Sequence, residues 1–202
     1  LYLGRCVSGF NQRNSCHGST SSSKNRDRIM GVEANHFLVQ RGSMLSIRPA
    51  TVNDVKLLVT LIRELAEYEK ELDAVKITEA QLARDGFGPR PLFHALIADW
   101  DQRPAGYALF CDFYSTWTGR QLFLEDLFVR PTFRGKGIGK SLMAKVAEIA
   151  RDEQCSAMRW EVLGWNQSAI DVYQSLGAEF LDGWRLMLLR GEPLKRLADQ
   201  SQ

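Results

Sequence analysis

The sequence of 202 residues is short of the groups that many functional sites require. It has four cysteines, none of them in C-x-x-C spacing, and three histidines. This pattern favours neither a disulfide framework nor a zinc site, so we expect free thiols in a reducing, cytoplasmic compartment and no bound metal. A run of about 18 apolar residues, which a transmembrane helix requires, does not occur.

The longer part of the chain also lacks an excess of basic residues over acidic ones. Residues 1–43 carry six Lys or Arg and two Asp or Glu, whereas residues 44–202 carry 20 and 22. The balance in the longer part argues against nucleic acid as a partner. A slightly acidic segment suits a small cationic substrate, but so small a net charge decides little.

Residues 1–43 also differ in composition from the rest. They include the polar, low-complexity stretch GSTSSSKNRDR, and LVQRGS at 38–43 is one residue away from a common engineered protease site. We interpret 1–43 as a tag, a misassigned start or another non-native leader, with a Ser- and Arg-rich targeting presequence as the alternative. Residues 44–202 are predicted to form one domain.

Capping and stop residues predict helices from Met44 onward. They are Thr51 with Asp54, Thr78 with Gln81, Gly86 as a stop, Asn166 as a cap and Gly177 as a stop. A further helix is predicted over about 139–152 from its apolar spacing. Strands are predicted over LSIRP, HALIADW, GYALFCDFY, QLFLEDLFV, AMRWEVL and WRLMLLR, with a hairpin turn at DQRPA. The sum is an α+β domain with a mostly antiparallel sheet and helices packed on it.

The segment RGKGIGKS, from Arg134 to Ser141, has three interpretations. A P-loop needs four residues between its first Gly and Gly-Lys-Ser, and here there are three; the Rossmann spacing G-x-G-x-x-G fails as well. The third is a pyrophosphate cradle R-x-x-G-x-G, because glycines admit an anion to the backbone and N–H groups at a helix start point toward it. Taken alone, a Gly-rich turn with solvated basic residues is equally plausible.

The loop has a specific context. The strand with Glu125, RGKGIG, a helix, a strand and WNQSAIDVYQSLGA together resemble the GNAT family of acyl-CoA N-acyltransferases. Over residues 44–190, the segments IRPATVNDV, LAEYEKE, DGFG, FYSTWTGR, LEDLFV, FRGKGIG and DGWRL resemble its spermidine/spermine N-acetyltransferase branch. The resemblance implies a GNAT fold with splayed fourth and fifth strands, acetyl-CoA as cosubstrate, a homodimer, and direct transfer to an amine without a covalent enzyme intermediate.

The resemblance also implies roles for individual residues. An alkylamine is protonated at neutral pH and must lose a proton before it attacks, and Glu125 stands where the family has its base. Tyr173 is the matching acid for the departing thiolate. The plainer interpretations are a solvent-facing acid and a core aromatic. Because side chains alternate along a strand, Glu125 and Asp126 are expected on opposite faces of the sheet.

Two further sets of residues follow from the resemblance. Those expected to contact acetyl-CoA are Leu127, Phe128, Val129, Arg134, Gly135, Lys136, Gly137, Ile138, Gly139, Lys140, Asn166, Ala169 and Tyr173. Those expected to contact the acceptor are Tyr68, Glu69, Trp117, Glu125, Asp126, Arg159, Trp160, Glu161, Asp182 and Trp184. Plain packing remains an alternative for both Trp160 and Trp184, as an N-cap does for Asn166.

One departure from the polyamine branch bears on the acceptor. That branch has Asp-Pro-Trp where this chain has Ser115, Thr116 and Trp117. An acid that would hold the far ammonium of a long polyamine is missing, and STW with WNQ is closer to the thialysine branch. We therefore expect a small diamine or ω-amino acid before spermine. A protein or peptide acetyltransferase and a non-catalytic acyl-CoA-binding regulatory module are the competing hypotheses.

Overall fold

The computed structural model describes residues 44–201, so the interpretation of residues 1–43 lies outside the described residues. The described chain forms two units, one ending at Trp160 and one beginning at Glu161. Between residues 44 and 201, no helix has the length and apolar character needed to cross a membrane. The same residues contain no cluster of three His, Cys, Asp or Glu side chains suited to a metal ion.

The first unit is built on a five-stranded sheet with the order β1-β2-β3-β4-β5. Its strands are β1 (Leu45–Pro49), β2 (His94–Trp100), β3 (Arg103–Ser115), β4 (Gly119–Val129) and β5 (Met158–Trp160). The first three pairings are antiparallel, whereas β4 and β5 are parallel. The predicted α+β class with a mostly antiparallel sheet is confirmed.

Two helices lie between β1 and β2, one lies between β4 and β5, and two follow β5. They are α1 (Val55–Tyr68), α2 (Glu79–Phe87) and α3 (Ile138–Asp152) in the first unit, and α4 (Gln167–Ser175) and α5 (Glu192–Ala198) in the second. Short 3₁₀ turns cover Val52–Asp54, Leu72–Ala74, Pro131–Phe133 and Asp199–Ser201. Both predicted capping boxes are present, at Thr51 with Asp54 and at Thr78 with Gln81.

The two faces of the sheet carry two layers of core. On one face, Ile97 and Tyr107 of the sheet pack in one cluster with Leu58 and Leu61 of α1. Helix α3, with the buried side chains Leu142 and Val146, contacts β2, β3 and β4. Each fully buried Leu, Ile or Val side chain contributes about 1.5–3 kcal/mol relative to exposure, so both layers stabilise the sheet that supports the candidate site.

The hairpin turn predicted at DQRPA is present but shorter than expected. Trp100 pairs with Arg103, so the loop is only Asp101 and Gln102. Both have left-handed backbones, with φ of 49° and 61°. Two left-handed residues in a two-residue loop match a type I′ turn, whose twist suits the flanking strands.

The structure corrects three sequence predictions. Gly86 does not end α2, because it lies inside the helix, where any Cβ would meet the Phe93 ring; the helix ends at Phe87 before Gly88. The strand predicted over AMRWEVL is only Met158–Trp160. WRLMLLR forms no strand: an apolar run becomes a strand only where its backbone groups pair with another strand, and none of the strand pairings among the described residues includes this run.

The stop predicted at Gly177 is confirmed. Gly177 has φ of 88°. Its N–H donates to the carbonyl of Gln174, and the N–H of Ala178 donates to the carbonyl of Tyr173. This pair of bonds is a Schellman motif, which requires a left-handed residue at that position.

An ion pair at the start of α1 gives a prediction about stability. The Arg48 guanidinium donates to both oxygens of Asp54 at 2.8 and 2.9 Å, and this contact lowers the pKa of Asp54 to about 2. A lowered pKa in the folded state stabilises the fold above the ordinary value of 3.8, and that stability disappears as pH falls toward 2. We expect Asp54→Ala to lower the melting temperature at pH 7 by about 2–4 °C, the size of a lost cap, and much less at pH 2.5.

The matched control is Asp152→Ala, which removes a carboxylate paired with its exposed neighbour Arg151. Exposed ion pairs contribute little, so thermal melts should show almost no change. An equal loss for the two variants, or a loss for Asp54→Ala that persists at low pH, would contradict this assignment.

Candidate active site

The two adjacent acids of β4 lie at a β-bulge. Leu109 of β3 pairs with Asp126, and the next residue, Phe110, pairs with Leu124. Glu125 is therefore the extra residue of the bulged strand, between the residues that face Leu109 and Phe110. Bulges redirect side chains and are frequent next to active sites.

Backbone hydrogen bonds on either side of Glu125 support the bulge independently. The N–H of Leu122 donates to Ala157 beside β5, whereas the N–H of Arg130 donates to Ala105 of β3. These donors are eight positions apart, so an uninterrupted strand would direct them to the same side. They point to opposite sides because the bulge shifts the strand by one residue.

This shift corrects the expectation that Glu125 and Asp126 face opposite sides of the sheet. Leu124 pairs with Phe110 and shares its face, so alternation puts Glu125 on the opposite face, which is that of Leu109. Asp126 pairs with Leu109 directly and therefore lies on that same face. That is the face covered by α1 and α2. Two neighbouring carboxylates on one face form a compact anionic group.

Beyond the bulge, one edge of β4 is no longer paired with β5. The parallel pairing covers only Leu122 to Leu124 of β4. Since the N–H of Arg130 points to β3, alternation directs the backbone groups of Leu127 and Val129 to the β5 side. Phe128 directs its backbone to β3 and buries its ring. Of the three predicted partners for pantetheine amides, Leu127 and Val129 therefore have the suitable orientation.

The glycine loop has the geometry of an anion cradle. Gly135 and Gly137 have φ of 74° and 77°, and a side chain at either position would meet open space. Glycine is therefore required by backbone conformation and not by crowding. Gly137 is the N-cap of α3, whose first turn has no acid, and Lys140 lies in that turn. The free N–H groups of this turn carry the positive end of the helix dipole.

Two cations of the loop are held on aromatic rings. The Arg134 guanidinium lies 4.5 Å from the ring centre of Tyr68, and its Nε donates to the carbonyl of Val129 at 3.0 Å. The Lys136 ammonium lies 4.9 Å from the ring centre of Trp100. These contacts fix basic groups beside the loop and link it to the end of α1. Tyr68, predicted to contact the acceptor, thus adjoins the proposed cofactor cradle.

These features fit the pyrophosphate and pantetheine of a coenzyme A thioester. The residues that would bind the pyrophosphate are the backbone of 135–140 with Arg134, Lys136 and Lys140, and Ile138 anchors the helix start in the core. A Cβ added at Gly139 would lie 3.7 Å from the Val129 side chain, which is an ordinary contact distance. Packing alone therefore does not require glycine at this position.

Sequence reasoning missed two contacts near the site. The Tyr107 hydroxyl donates to Oδ2 of Asp126 at 2.8 Å. Arg130, which follows β4, makes two 2.7 Å bonds to Glu64 of α1. A buried tyrosine does signal a hydroxyl in need of a partner, but the identity of that partner depends on strand register.

The other predicted acceptor residues of the first unit are spread over several elements. Glu69 caps the end of α1. Trp117 lies in the exposed β3–β4 loop, where the backbone N–H groups of Trp117 and Thr118 donate to Oγ of Ser115. Arg159 packs its guanidinium 4.9 Å from the Phe113 ring, and Trp160 pairs with Leu124. Ser115 therefore has a structural role in the turn.

The second unit contains the remaining predicted residues. Asn166 caps α4 by accepting the N–H of Ala169, so its predicted N-cap role is confirmed. Tyr173 lies on α4, and burial raises the pKa of its phenol. The phenol is therefore neutral at neutral pH, as an ordinary tyrosine is, and burial makes it a weaker acid than a solvent-exposed one. Glu161, Asp182 and Trp184 lie outside the helices, and Trp184 is exposed.

The described thiols and histidine are poorly suited to nucleophilic catalysis. Cys111 is buried, and burial raises the pKa of Cys155, which lowers its thiolate fraction. His94 is largely enclosed, and desolvation lowers its pKa. These surroundings favour a neutral imidazole that packs near the Phe110 ring.

The sequence model of the Acetyltransferase (GNAT) family matches residues 58–178. The chain belongs to this family. GNAT enzymes use acetyl-CoA, so the chain is an acetyltransferase, and the family match extends across both units of the described chain.

Two curated relatives align over nearly their whole length, and a third aligns over a smaller part of its own. Thialysine N-epsilon-acetyltransferase of Sus scrofa is 46% identical, covering 75% of this chain and 96% of that protein. The protein of the same name from Bos taurus is 44% identical, covering 77% and 98%. A human spermidine/spermine N(1)-acetyltransferase-like protein 1 is 40% identical, covering 75% of this chain and 23% of the relative.

Solved structures are also similar to this chain in fold. An integron cassette protein of V. cholerae is 26% identical with a TM-score of 0.66, covering 78% of this chain and 99% of the other. An aminoglycoside N-acetyltransferase in complex with CoA is 25% identical with a TM-score of 0.59, covering 77% and 99%. The predicted GNAT fold is confirmed.

Proposed function

We propose that this GNAT enzyme transfers an acetyl group from acetyl-CoA to a primary amine of a small diamine or ω-amino acid, by direct attack in a ternary complex. The observation that carries the proposal is the β4 bulge, where Glu125 and Asp126 share one face of the sheet. Two carboxylates in one place can divide two tasks: one removes a proton from the attacking amine and the other binds a second cationic group.

In this proposal Glu125 removes the proton and Asp126 binds the cationic acceptor. Leu127 and Val129 hold the pantetheine amides as an added strand would, and the loop from Arg134 to Lys140 holds the pyrophosphate. Tyr173 protonates the departing thiolate. The positive φ of Gly135 and Gly137 supports the role of the loop, and the proton of the Tyr173 phenol is available for the thiolate.

The choice of acceptor class rests on two observations. Ser115 stands where the polyamine branch has an acid, and it accepts two backbone N–H groups of its own turn. Relatives named for thialysine are 46% and 44% identical, against 40% for the relative named for spermidine and spermine. Both favour thialysine or a short diamine over spermine.

The experiment is CoA release from acetyl-CoA against thialysine, lysine, ornithine, short diamines, spermidine and spermine. We expect kcat/KM for thialysine or a short diamine to exceed that for spermine. Spermine as the best acceptor would refute the argument from Ser115. Binding of CoA with no turnover of any amine would favour the peptide or regulatory alternatives, which a library of basic peptides then separates.

Three further proposals accompany the function. Residues 44–202 act as one catalytic domain, the active form is a homodimer, and the enzyme works in the cytoplasm. The family match across 58–178 supports the first. Sedimentation of the full chain tests the second, with a mass of one chain as the contradicting result.

A further inference from the structure

The Tyr107 side chain has a hydroxyl at a core position where packing alone would accept phenylalanine. It belongs to the core cluster, its side chain is fully buried, and its ring centre lies 6.4 Å from that of Phe128. A hydroxyl in such surroundings is costly unless it has a hydrogen-bond partner. Its partner is Oδ2 of Asp126 at 2.8 Å.

The register explains how the two side chains meet. Tyr107 pairs with Phe128, and Leu109 pairs with Asp126, so Tyr107 and Asp126 are diagonal neighbours on one sheet face. The bulge at Glu125 is what brings Asp126 into this position beside the base. A hydroxyl that donates to a carboxylate makes a charge-assisted bond, which fixes the position of that carboxylate oxygen.

We propose that Tyr107 is a positioning residue that holds the Asp126 carboxylate toward the second ammonium of the acceptor, and so favours diamines over monoamines. The inference rests on the proposed function and adds a specificity residue to the same site. It requires no contact between Tyr107 and the substrate, because the phenol acts from inside the core through Asp126.

The test compares the wild-type full chain with Tyr107→Phe, which keeps the ring and its packing. A hydrogen bond to a charged group is worth about a ten- to hundredfold change in an equilibrium constant. We expect KM for a short diamine to rise by about that factor, while kcat, KM for acetyl-CoA and KM for a monoamine of equal length change by less than about threefold. The diamine-to-monoamine ratio is the decisive readout, since a purely structural defect would affect both amines equally.

Two further variants sharpen the result. Tyr114→Phe removes an exposed hydroxyl from the same strand and should leave all constants unchanged. In an Asp126→Asn background, Tyr107→Phe should have no additional effect on the diamine. Equal losses for diamine and monoamine, or full additivity of the two changes, would overturn the inference.

Failure of the proposed function can be distinguished from failure of the inference about Tyr107. If the wild-type chain acetylates no amine, the proposed function fails. Calorimetric binding of a diamine to the CoA-saturated protein then decides this inference on its own. Weaker binding by Tyr107→Phe than by wild type supports it, and equal or absent binding overturns it.

Discussion

Glu125→Gln is expected to reduce kcat/KM for the amine at pH 7 by about 10²- to 10⁴-fold, the usual contribution of a positioned general base. Glutamine keeps the size of the side chain at the β4 bulge but cannot accept the ammonium proton. Because alkylamines lose that proton themselves near pH 10, the deficit should shrink as pH rises toward that value. KM for acetyl-CoA should change little. Initial rates from pH 6.5 to 9.5 measure both effects.

The matched control is Glu79→Gln, at the exposed first position of α2. It removes one negative charge from the same unit and should leave the rate profile intact. A Glu125→Gln enzyme with near wild-type rate, or a deficit independent of pH, would show that another group accepts the proton.

Gly137→Ala is expected to weaken acetyl-CoA binding. Gly137 has φ of 77° at the N-cap of α3, and alanine in this region costs about 1–2 kcal/mol. The substituted loop avoids that cost by leaving the left-handed conformation, which turns its N–H groups away from the phosphate. Binding of CoA must then restore this conformation, so the cost reduces the affinity. The expected result is a rise in the Kd for CoA of about 5- to 30-fold, measured by calorimetry.

Gly119→Ala provides a closely matched control. Gly119 has φ of 87°, and its Cβ position is equally open, but it lies in the β3–β4 hairpin. It should lower the melting temperature by a similar amount while the Kd for CoA stays at the wild-type value. Equal Kd values for Gly137→Ala and wild type would mean that the loop conformation does not bind the phosphate.

Local features of the fold could be predicted from sequence because they depend on neighbouring residues. The capping boxes, the Asn166 cap and the Gly177 stop each need only a few adjacent positions. The sequence also indicated an unusual backbone conformation in the glycine loop, since closely spaced glycines at a helix start are typical of left-handed residues.

Features that depend on pairing between distant strands could not be predicted. The bulge at Glu125 arises from the register with β3, so simple alternation gave the wrong relation between Glu125 and Asp126. The Tyr107–Asp126 bond and the stacking of Arg134 on Tyr68 depend on the same tertiary arrangement. For WRLMLLR, the apolar composition indicated a strand, but the sequence does not show whether another strand is available to pair with it.

The most direct test of the proposed function is identification of the acetylated product. The full chain is incubated with ¹³C-acetyl-CoA and thialysine, and both the small molecules and the intact protein are analysed by mass spectrometry. Direct transfer predicts labelled N-acetyl-thialysine, CoA release that requires the amine, and no label on the protein. Label on the protein would contradict direct attack, and bound CoA without any acetylated amine would contradict the proposed acetyl transfer itself.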